Sequence, residues 1–335
     1  MKKINLYDMS NRGYFDAKSV IESNHIFTWV IGGRGIGKTY SVLKYLIENN
    51  ITFMLLRRTQ NESDLQAVEM TSSLTKILSR CKDEYKFSKL GDKVGMIEWD
   101  AGRCYTCALS TFANIRGVNF DDVKYIVFDE FIKEPHIRKI HAEGLAFENL
   151  VESVNRNRDI DGGEPVHIIG LANAMDIANE IFIQYDLVEI AEEMMSNGIE
   201  QSILGDTLIV VAQNSPISKA KEETKLYKNS SEEFASLSIK NKFILNDFSY
   251  IKKQNLKNYK IVLNVGNLYL YQSKSNYEFY VSFSKAKTKK VYGTNLTDLE
   301  RFRRAEWRYY VRYLDGYVKF ESYKACSLFE KYYAK

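Results

Sequence analysis

Gly32-Gly33-Arg34-Gly35-Ile36-Gly37-Lys38-Thr39 is the stretch of this sequence that decides its fold. It satisfies the pattern GxxxxGK(S/T), in which a glycine-rich loop lets backbone N–H groups surround the phosphates of a nucleotide. An apolar strand is predicted at residues 25–31, directly before the loop, and a helix at residues 39–49, directly after it. This strand–loop–helix context argues against a chance match, so the sequence predicts an α/β fold of the P-loop NTPase class.

The two residues that end the loop are predicted to bind different parts of a nucleotide. Lys38 is placed to bring a positive charge to the β- and γ-phosphates, and the hydroxyl of Thr39 is placed to bind Mg²⁺. The glycines allow the backbone to come close to the remaining phosphate oxygens. We therefore expect ATP and Mg²⁺ as cofactors.

An acidic pair ends another apolar run, Tyr125-Ile126-Val127-Phe128-Asp129-Glu130. Such a run predicts a buried central strand that delivers a carboxylate to the edge of the sheet where ligands bind. Asp129 is expected to hold Mg²⁺ through water, and Glu130 to act as the base that polarises the attacking water. The pair could instead cap the next helix, but the phosphate loop requires a partner for Mg²⁺. We therefore predict a hydrolase.

A polar residue, Asn173, follows the apolar run at residues 166–171. At the tip of a strand beside the acidic one, it could hydrogen-bond the γ-phosphate or the water. The alternative is an asparagine that caps the following helix.

Arginines at two places are further candidates for the site. Arg156 ends a predicted helix at residues 143–155, before a Gly-rich turn, where it could reach a neighbouring subunit as an arginine finger. A basic residue there also suits the helix dipole, and Arg158 is the second candidate for the finger. Arg57 and Arg58, at the tip of the second strand, are either ligand-facing or solvated.

The order of apolar strands and helices predicts the domain organisation. Residues 1–213 read as a mainly parallel sheet covered on both faces, with an inserted antiparallel element at residues 85–109. Residues 214–250 begin with a charged stretch that lacks an apolar period, which favours a linker or lid. Residues 251–335 predict a small α+β domain, a β-meander followed by two helices.

Composition is that of a soluble globular protein, with 45% hydrophobic and 27% charged residues. No apolar run approaches the roughly 18 residues of a membrane span, so we expect a cytosolic protein without a membrane partner. The four cysteines are too few for a disulfide framework. Cys104 and Cys107 form a lone CxxC on a predicted strand, where residues three apart face opposite sides, which favours a structural role over zinc.

The net charge of +4 does not itself indicate a nucleic-acid binder, but basic residues cluster near the C-terminus. Residues 285–312 hold nine basic residues against three acids, interleaved with aromatic residues. This segment is a candidate phosphate-binding surface, with Lys287, Lys289 and Lys290 as its proposed nucleic-acid contacts. A solvated helix face is the alternative.

Five motifs in order, GGRGIGKT, LLRRT, YIVFDEFIKE, NRNRD and GLANA, resemble the DNA-packaging (encapsidation) ATPases of small tailed double-stranded DNA phages. The resemblance covers roughly residues 25–212 with specific motifs. It implies a terminase-like ring motor with a P-loop core of the additional-strand, catalytic-glutamate type. It also implies that Arg156 is the finger supplied in trans and that Arg116 is a second basic residue between subunits.

The resemblance has consequences for partners as well. It implies a homomeric ring, expected to be a pentamer, that docks on the capsid portal or connector and moves double-stranded DNA into the procapsid in the cytoplasm of the infected host cell. The C-terminal domain would resemble an RNase H-like nuclease without activity that binds other molecules, in some members a packaging RNA. Lys133, Arg138 and Lys139, just past the acidic pair, are the candidates for residues that line the pore.

Other classes of P-loop protein fit less well. A GTPase needs a base-reading NKxD element, which is absent, and a DxxG that begins at the end of the acidic strand, where this sequence has Asp129-Glu130-Phe131-Ile132. A small-molecule kinase is disfavoured because the base Glu130 would waste ATP. A cellular DNA translocase or helicase of related design, and a ring-forming ATPase that remodels proteins, remain as alternatives.

Overall fold

The computed structural model describes residues 4–66, 73–82, 84–115, 117–133, 140–173, 177–212, 214–229 and 250–334. The chain divides into two compact units, Met1–Leu245 and Asn246–Lys335. Each unit has its own hydrophobic core, and we describe each by itself.

The first unit is built on one nine-stranded sheet. A short hairpin of β1 and β2 precedes it, and the strands of the sheet follow as β3 to β11 in the order β10-β11-β3-β9-β8-β4-β7-β6-β5. The bounds are Tyr7–Asp8, Tyr14–Phe15, Phe27–Gly32, Phe53–Arg57, Tyr85–Leu90, Val94–Trp99, Gly102–Ala108, Tyr125–Asp129, His167–Ala172, Gln201–Leu204 and Thr207–Ala212.

Nine helices are numbered α1 to α9 within the described part of this unit. Their bounds are Ala17–Ile21, Lys38–Glu48, Gln60–Gln66, Ser73–Cys81, Glu143–Asn155, Glu180–Gln184, Val188–Ser196, Pro216–Glu222 and Lys225–Lys228. Short 3-10 helices lie at Met9–Asn11 and Leu109–Ile115.

The six central strands, from β11 to β7, run parallel to one another. Strands β3, β4, β8, β9 and β11 are almost completely buried, as expected for parallel strands covered on both faces. This confirms the predicted α/β fold. Strands β5 and β6 are antiparallel as predicted for the insertion, but they extend the main sheet, because β7 pairs in parallel with β4.

Strand β9 lies between the strand of the phosphate loop and the acidic strand. In the register, Ala172 is opposite Ile31 of β3, and Leu171 is opposite Asp129 of β8. The carboxyl ends of β3, β9 and β8 therefore meet at one edge of the sheet. The loop, Asn173 and the acidic pair are brought together there.

The packing on one face of this sheet depends on Trp29, which is completely buried. Its register partner on β9 is Gly170, where a Cβ atom would lie 2.2 Å from the Trp29 ring. Phe131, Phe147 and Phe182 surround the same indole. The absence of a side chain at residue 170 thus makes room for the aromatic core beneath the site.

The segment predicted as a linker or lid begins as a packed part of the first unit. Ser215, just before α8, is completely buried and donates from Oγ to the carbonyl of Gly13 at 3.2 Å. A Cβ atom at Gly13 would lie 2.5 Å from Pro216, the first residue of α8. Residues 230–249 of the predicted linker lie outside the described residues.

The second unit is a five-stranded mixed sheet with two helices. A 3-10 helix at Leu256–Asn258 leads into β12 (Tyr259–Val265), and β13 (Leu268–Ser273) and β14 (Phe279–Ser282) complete the predicted meander. Two short strands not predicted from the sequence, β15 (Val291–Tyr292) and β16 (Val318–Phe320), add in parallel to β12 and β14. The helices are α10 (Leu296–Leu314) and α11 (Tyr323–Tyr333). The expectation of an RNase H-like domain stays a prediction.

Helix α10 is kinked at Glu306, a carboxylate buried to 2% exposure. Lys290 donates to it at 2.9 Å, Tyr292 at 3.0 Å and Arg308 at 3.3 Å. These three donors satisfy a charge that would otherwise be costly to bury. Two residues of the predicted basic segment, Lys290 and Arg308, therefore stabilise the fold of the second unit.

Among the helices that the structure describes, none combines the length and the hydropathy that crossing a membrane requires.

Candidate nucleotide-binding site

The phosphate loop joins β3 to α2 through two glycines with left-handed backbone angles. Gly35 has φ of +69° and Gly37, the N-cap of α2, has φ of +92°. Side chains rarely adopt this region of backbone space, which explains why glycine stands at both positions. The loop can therefore turn sharply enough to aim its N–H groups and the start of α2 at an anion.

Lys38 lies inside this loop and is 7% exposed. Its Nζ donates to the carbonyls of Gly32 at 2.7 Å and Gly33 at 2.9 Å. Burial lowers the pKa of Lys38 to about 7, although the charges of Asp129 and Glu130 act in the opposite direction. Negative phosphates would favour its charged form, so the arrangement is built for an anion.

The side chains predicted to bind Mg²⁺ are in direct contact. Thr39 donates from Oγ1 to Oδ1 of Asp129 at 2.8 Å, although the two residues are far apart in the sequence. A hydroxyl and a carboxylate are oxygen ligands of the kind that Mg²⁺ prefers, so this pair fits the ion. Arg57 holds the other carboxylate oxygen, with Nη2 2.7 Å from Oδ2 of Asp129.

Glu130 follows β8 with φ of +58°, an unusual backbone conformation for a residue other than glycine. Its side chain is about half exposed and accepts a hydrogen bond from Nη1 of Arg57 at 2.9 Å. One guanidinium therefore contacts both members of the acidic pair. Of the two alternatives for Arg57, the structure places it facing the site.

Asn173 lies at the end of β9, next to the phosphate loop. Its Oδ1 accepts a hydrogen bond from Lys38 at 3.3 Å. The next helix of the described residues, α6, is capped by Asn179, whose Oδ1 accepts from the N–H of Phe182. The position of Asn173 therefore agrees with a contact to the ligand, and the helix-capping alternative does not apply to α6.

These groups line one cavity of about 460 Å³. Its lining includes residues of the phosphate loop together with Tyr40, Arg57, Asp129, Glu130 and Asn173. The volume is in the range of small-molecule and cofactor sites. The residues predicted from separate motifs thus share one site.

Arg58 does not contact the acidic pair that its neighbour Arg57 contacts. Its guanidinium makes two hydrogen bonds to Glu143 at the start of α5, at 2.6 Å and 2.7 Å. Both side chains are almost fully buried. Arg58 is therefore neither solvated nor ligand-facing, and the two alternatives considered for it are wrong. Nothing in the local sequence around Glu143 marks it as the partner.

The two candidates for the arginine finger have different surroundings. Arg156, the C-cap of α5, has φ of +50° and a half-exposed side chain that pairs with Asp121 at 3.2 Å. Arg158 donates to the backbone carbonyls of Phe120, Asp121 and Val123. Arg158 is thus engaged inside its own subunit, whereas Arg156 is accessible at the surface.

The predicted nucleic-acid contacts fall into three groups. Arg138, Lys139 and the proposed inter-subunit residue Arg116 lie outside the described residues. Lys133 is partly buried just past the acidic pair, and Lys287 and Lys289 are exposed on the second unit. Lys290 is bound to the buried Glu306, so its main contact is structural.

Cys104 and Cys107 are buried on β7 and unpaired. Burial raises the pKa of both thiols well above the usual value. In the described part of the chain, no group of three or more His, Cys, Asp or Glu residues could hold a metal ion. The prediction that the second unit lacks nuclease activity stays a prediction.

Comparison with known proteins gives consistent matches over nearly the whole chain. A model of the podovirus DNA encapsidation protein (Gp16) family matches residues 9–328. The DNA packaging proteins of Bacillus phages PZA and phi29 are each 24% identical over 329 residues, which covers 92% of this chain and 93% of theirs. A chain of the bacteriophage phi29 viral genome packaging motor assembly superposes with a TM-score of 0.63 at 22% identity, over 95% of this chain and 99% of that one. At this identity the superposition shows a shared fold.

Proposed function

The chain belongs to the podovirus DNA encapsidation protein (Gp16) family, and we propose that it is an ATP-driven motor that moves double-stranded viral DNA into a procapsid. The membership confirms the resemblance recognised from the five motifs. The DNA packaging proteins of two Bacillus phages are similar over more than nine-tenths of both chains, which supports the same task for this protein.

The observation that carries the proposal is the contact between Thr39 and Asp129 at 2.8 Å, beside Lys38. It joins the end of the phosphate loop to the end of the acidic strand, and Glu130 follows immediately. A phosphate-binding loop, a pair of Mg²⁺ ligands and a carboxylate base at one site are the parts that ATP hydrolysis requires.

Each residue has a separate task in the proposed reaction. The loop backbone and Lys38 bind the phosphates, and Thr39 and Asp129 hold Mg²⁺, which supplies positive charge against the charge that develops on the phosphates. Glu130 polarises the attacking water, for which it has to exchange its hydrogen bond from Arg57. Asn173, next to Lys38, contacts the γ-phosphate or that water.

Arg156 is proposed to act on the site of a neighbouring subunit. It is half-exposed at the end of α5, and its ion pair with Asp121 is a surface contact that costs little to break. A finger supplied in trans requires a ring of identical subunits, which we propose to be a pentamer on the capsid portal. Arg116 is proposed as a second basic residue at the same boundary.

The second unit is proposed to bind a nucleic acid or the portal through Lys287 and Lys289. These exposed lysines suit contacts to phosphates, which position a protein without reading sequence. A packaging RNA and the DNA itself share this chemistry. The complex would form in the cytoplasm of the infected host cell, transiently on the procapsid.

An ATPase assay with and without double-stranded DNA tests the proposal. We expect Mg²⁺-dependent hydrolysis that DNA stimulates and that Lys38→Ala abolishes. DNA translocation that depends on a procapsid would distinguish the motor from a helicase. An ATPase that neither binds nor responds to DNA would contradict the proposal and favour a protein-remodelling enzyme.

A further inference from the structure

Three successive carbonyl oxygens at the start of the phosphate loop each accept a hydrogen bond from a lysine. Lys38 serves Gly32 and Gly33, as described above. The third carbonyl, that of Arg34, accepts from Nζ of Lys221 at 2.6 Å. Lys221 lies on α8, 187 residues further along the chain, and belongs to no nucleotide-binding motif of the sequence.

The ammonium of Lys221 rests directly on the loop. A Cβ atom at Gly35 would lie 2.2 Å from this Nζ, so the lysine occupies the space that a side chain at residue 35 would need. Lys221 is partly buried, and burial lowers its pKa. Its charge also disfavours the charged form of Lys38. The two ammonium groups therefore repel each other, and the negative charge of a bound polyanion would offset that repulsion.

The position of Lys221 does not depend on its own hydrogen bond. Helix α8 is fixed at its start by the buried Ser215 and by the contact of Pro216 with Gly13. Gly13 itself precedes β2, whose Phe15 donates from its N–H to the carbonyl of Ile36 in the phosphate loop. Helix α8, which carries the lysine, is thus packed against the segment around Gly13 and β2 that also holds the phosphate loop.

We propose that Lys221 is a positioning residue of the nucleotide site. It fixes the phosphate loop through the carbonyl of Arg34 and adds a positive charge that favours bound phosphates. Lys38 has to leave its two carbonyls to reach a nucleotide, and Lys221 keeps the third one engaged while this happens. The loop then needs less rearrangement on binding, which increases affinity. This inference rests on the proposed nucleotide-binding function.

Equilibrium binding of a fluorescent ADP analogue with Mg²⁺ to the full chain tests the inference. Lys221→Met removes the charge and the donor at similar length, and we expect at least about tenfold weaker binding, as for the loss of a charge-assisted hydrogen bond. Lys221→Arg restores both properties and is expected to recover most of the affinity. Lys228→Ala is the matched control, since this exposed lysine pairs with Glu223 nearby and should not affect binding.

Ser215→Ala distinguishes the charge of Lys221 from the general docking of α8. It removes the hydrogen bond to Gly13 but leaves the ammonium in place, so we expect a lower melting temperature with nearly unchanged affinity. Equal losses of affinity in Ser215→Ala and Lys221→Met would overturn the inference, and so would wild-type affinity in Lys221→Met. If the wild type itself binds no nucleotide, the proposed function fails instead.

Discussion

Arg57 and Glu130 form an ion pair in which Nη1 of the arginine lies 2.9 Å from Oε2 of the glutamate. The carboxylate proposed to polarise water is therefore held by a guanidinium that also contacts Asp129 at 2.7 Å. In the proposed mechanism, turnover requires Glu130 to release this partner, whereas binding of nucleotide does not. The two steps should consequently respond differently to substitution.

Glu130→Gln is expected to bind ATP nearly as tightly as the wild type but to lose turnover by about 10²–10⁴-fold, because only the base is removed. Lys38→Ala should lose nucleotide binding as well, since it removes the positive charge that binds the phosphates. Nucleotide titrations and steady-state ATPase rates measure both effects. A near-normal kcat for Glu130→Gln would show that another group activates the water.

Arg156→Ala subunits, whose phosphate loops are intact, are expected to regain ATPase activity when mixed with Lys38→Ala subunits, whose fingers are intact. The reason is that a mixed interface joins one working loop to one working arginine. Activity of the mixture above the sum of the two separate samples is the measurement.

Arg158→Ala is the control for this experiment. It removes the hydrogen bonds to three backbone carbonyls, of which that of Phe120 keeps the N–H of Val123, so it should lower the melting temperature, while Arg156→Ala should hardly change it. A dilute, monomeric wild-type sample that hydrolyses ATP as fast per subunit as a concentrated one would exclude a finger in trans.

Replacing Lys287 and Lys289 by alanine is expected to weaken nucleic-acid binding without changing the melting temperature or the basal ATPase rate. Two lost phosphate contacts should reduce the slope of log affinity against log salt by about 2. Lys290→Ala should instead destabilise the second unit, because Glu306 is buried and loses a donor. Equal salt slopes for wild type and double variant would place the contacts elsewhere.

Arg58→Met is expected to destabilise the first unit by about 3–5 kcal/mol, because Glu143 would be left as a buried charge without its partner. Replacing Glu143 by Leu in the same chain should recover much of this loss. Arg103→Ala, which removes an exposed ion pair with Asp122, should cost less than about 1 kcal/mol. Urea denaturation of the three variants gives these values, and a mild effect of Arg58→Met alone would contradict the predicted cost.

Cys81 is expected to be the first of the four thiols to react with an aromatic disulfide reagent at pH 8, because it is the one that is partly exposed. Burial raises the pKa of Cys326 to about 12 and also raises the pKa of Cys104 well above its usual value. Those buried thiols should therefore react only after unfolding, which exposes them and removes the cause of their raised pKa. Cys81→Ser should remove the fast phase, and a fast phase that persists would show that a core thiol is accessible.

The parts of the site that the sequence predicted are those in which a local pattern has a direct chemical meaning. The phosphate loop needs glycine at positions 35 and 37, and the ends of β3, β8 and β9 are visible in the sequence as apolar runs that stop at glycines or at polar residues. Parallel pairing then brings those ends to one edge. For this reason the fold and the positions of Lys38, Thr39, Asp129 and Glu130 relative to one another could be predicted.

Other parts depend on contacts between distant segments and had no local signal. Arg57 ends β4 and Arg58 follows it directly, but the first contacts the acidic pair and the second contacts α5, and the local sequence specifies neither partner. The segment around Lys221 reads as a linker because it is charged and lacks an apolar period, whereas its helix is fixed by contacts to Gly13 and Arg34 in distant parts of the chain. Similarly, nothing in the sequence distinguishes Lys290, which pairs with the buried Glu306, from the exposed Lys287.

The geometry of the site also depends on the number of residues in strand β9. Its register with β3 and β8 places Asn173 one residue beyond Ala172, and a shift by one residue along a strand moves a side chain by about 3.3 Å and turns it to the opposite face. Substitutions in β9 outside Gly170 can be absorbed by repacking, but an inserted or deleted residue would remove the amide from Lys38 and turn Gly170 away from Trp29 at the same time. The number of residues in this strand should therefore be constrained more tightly than the residue types at its other positions.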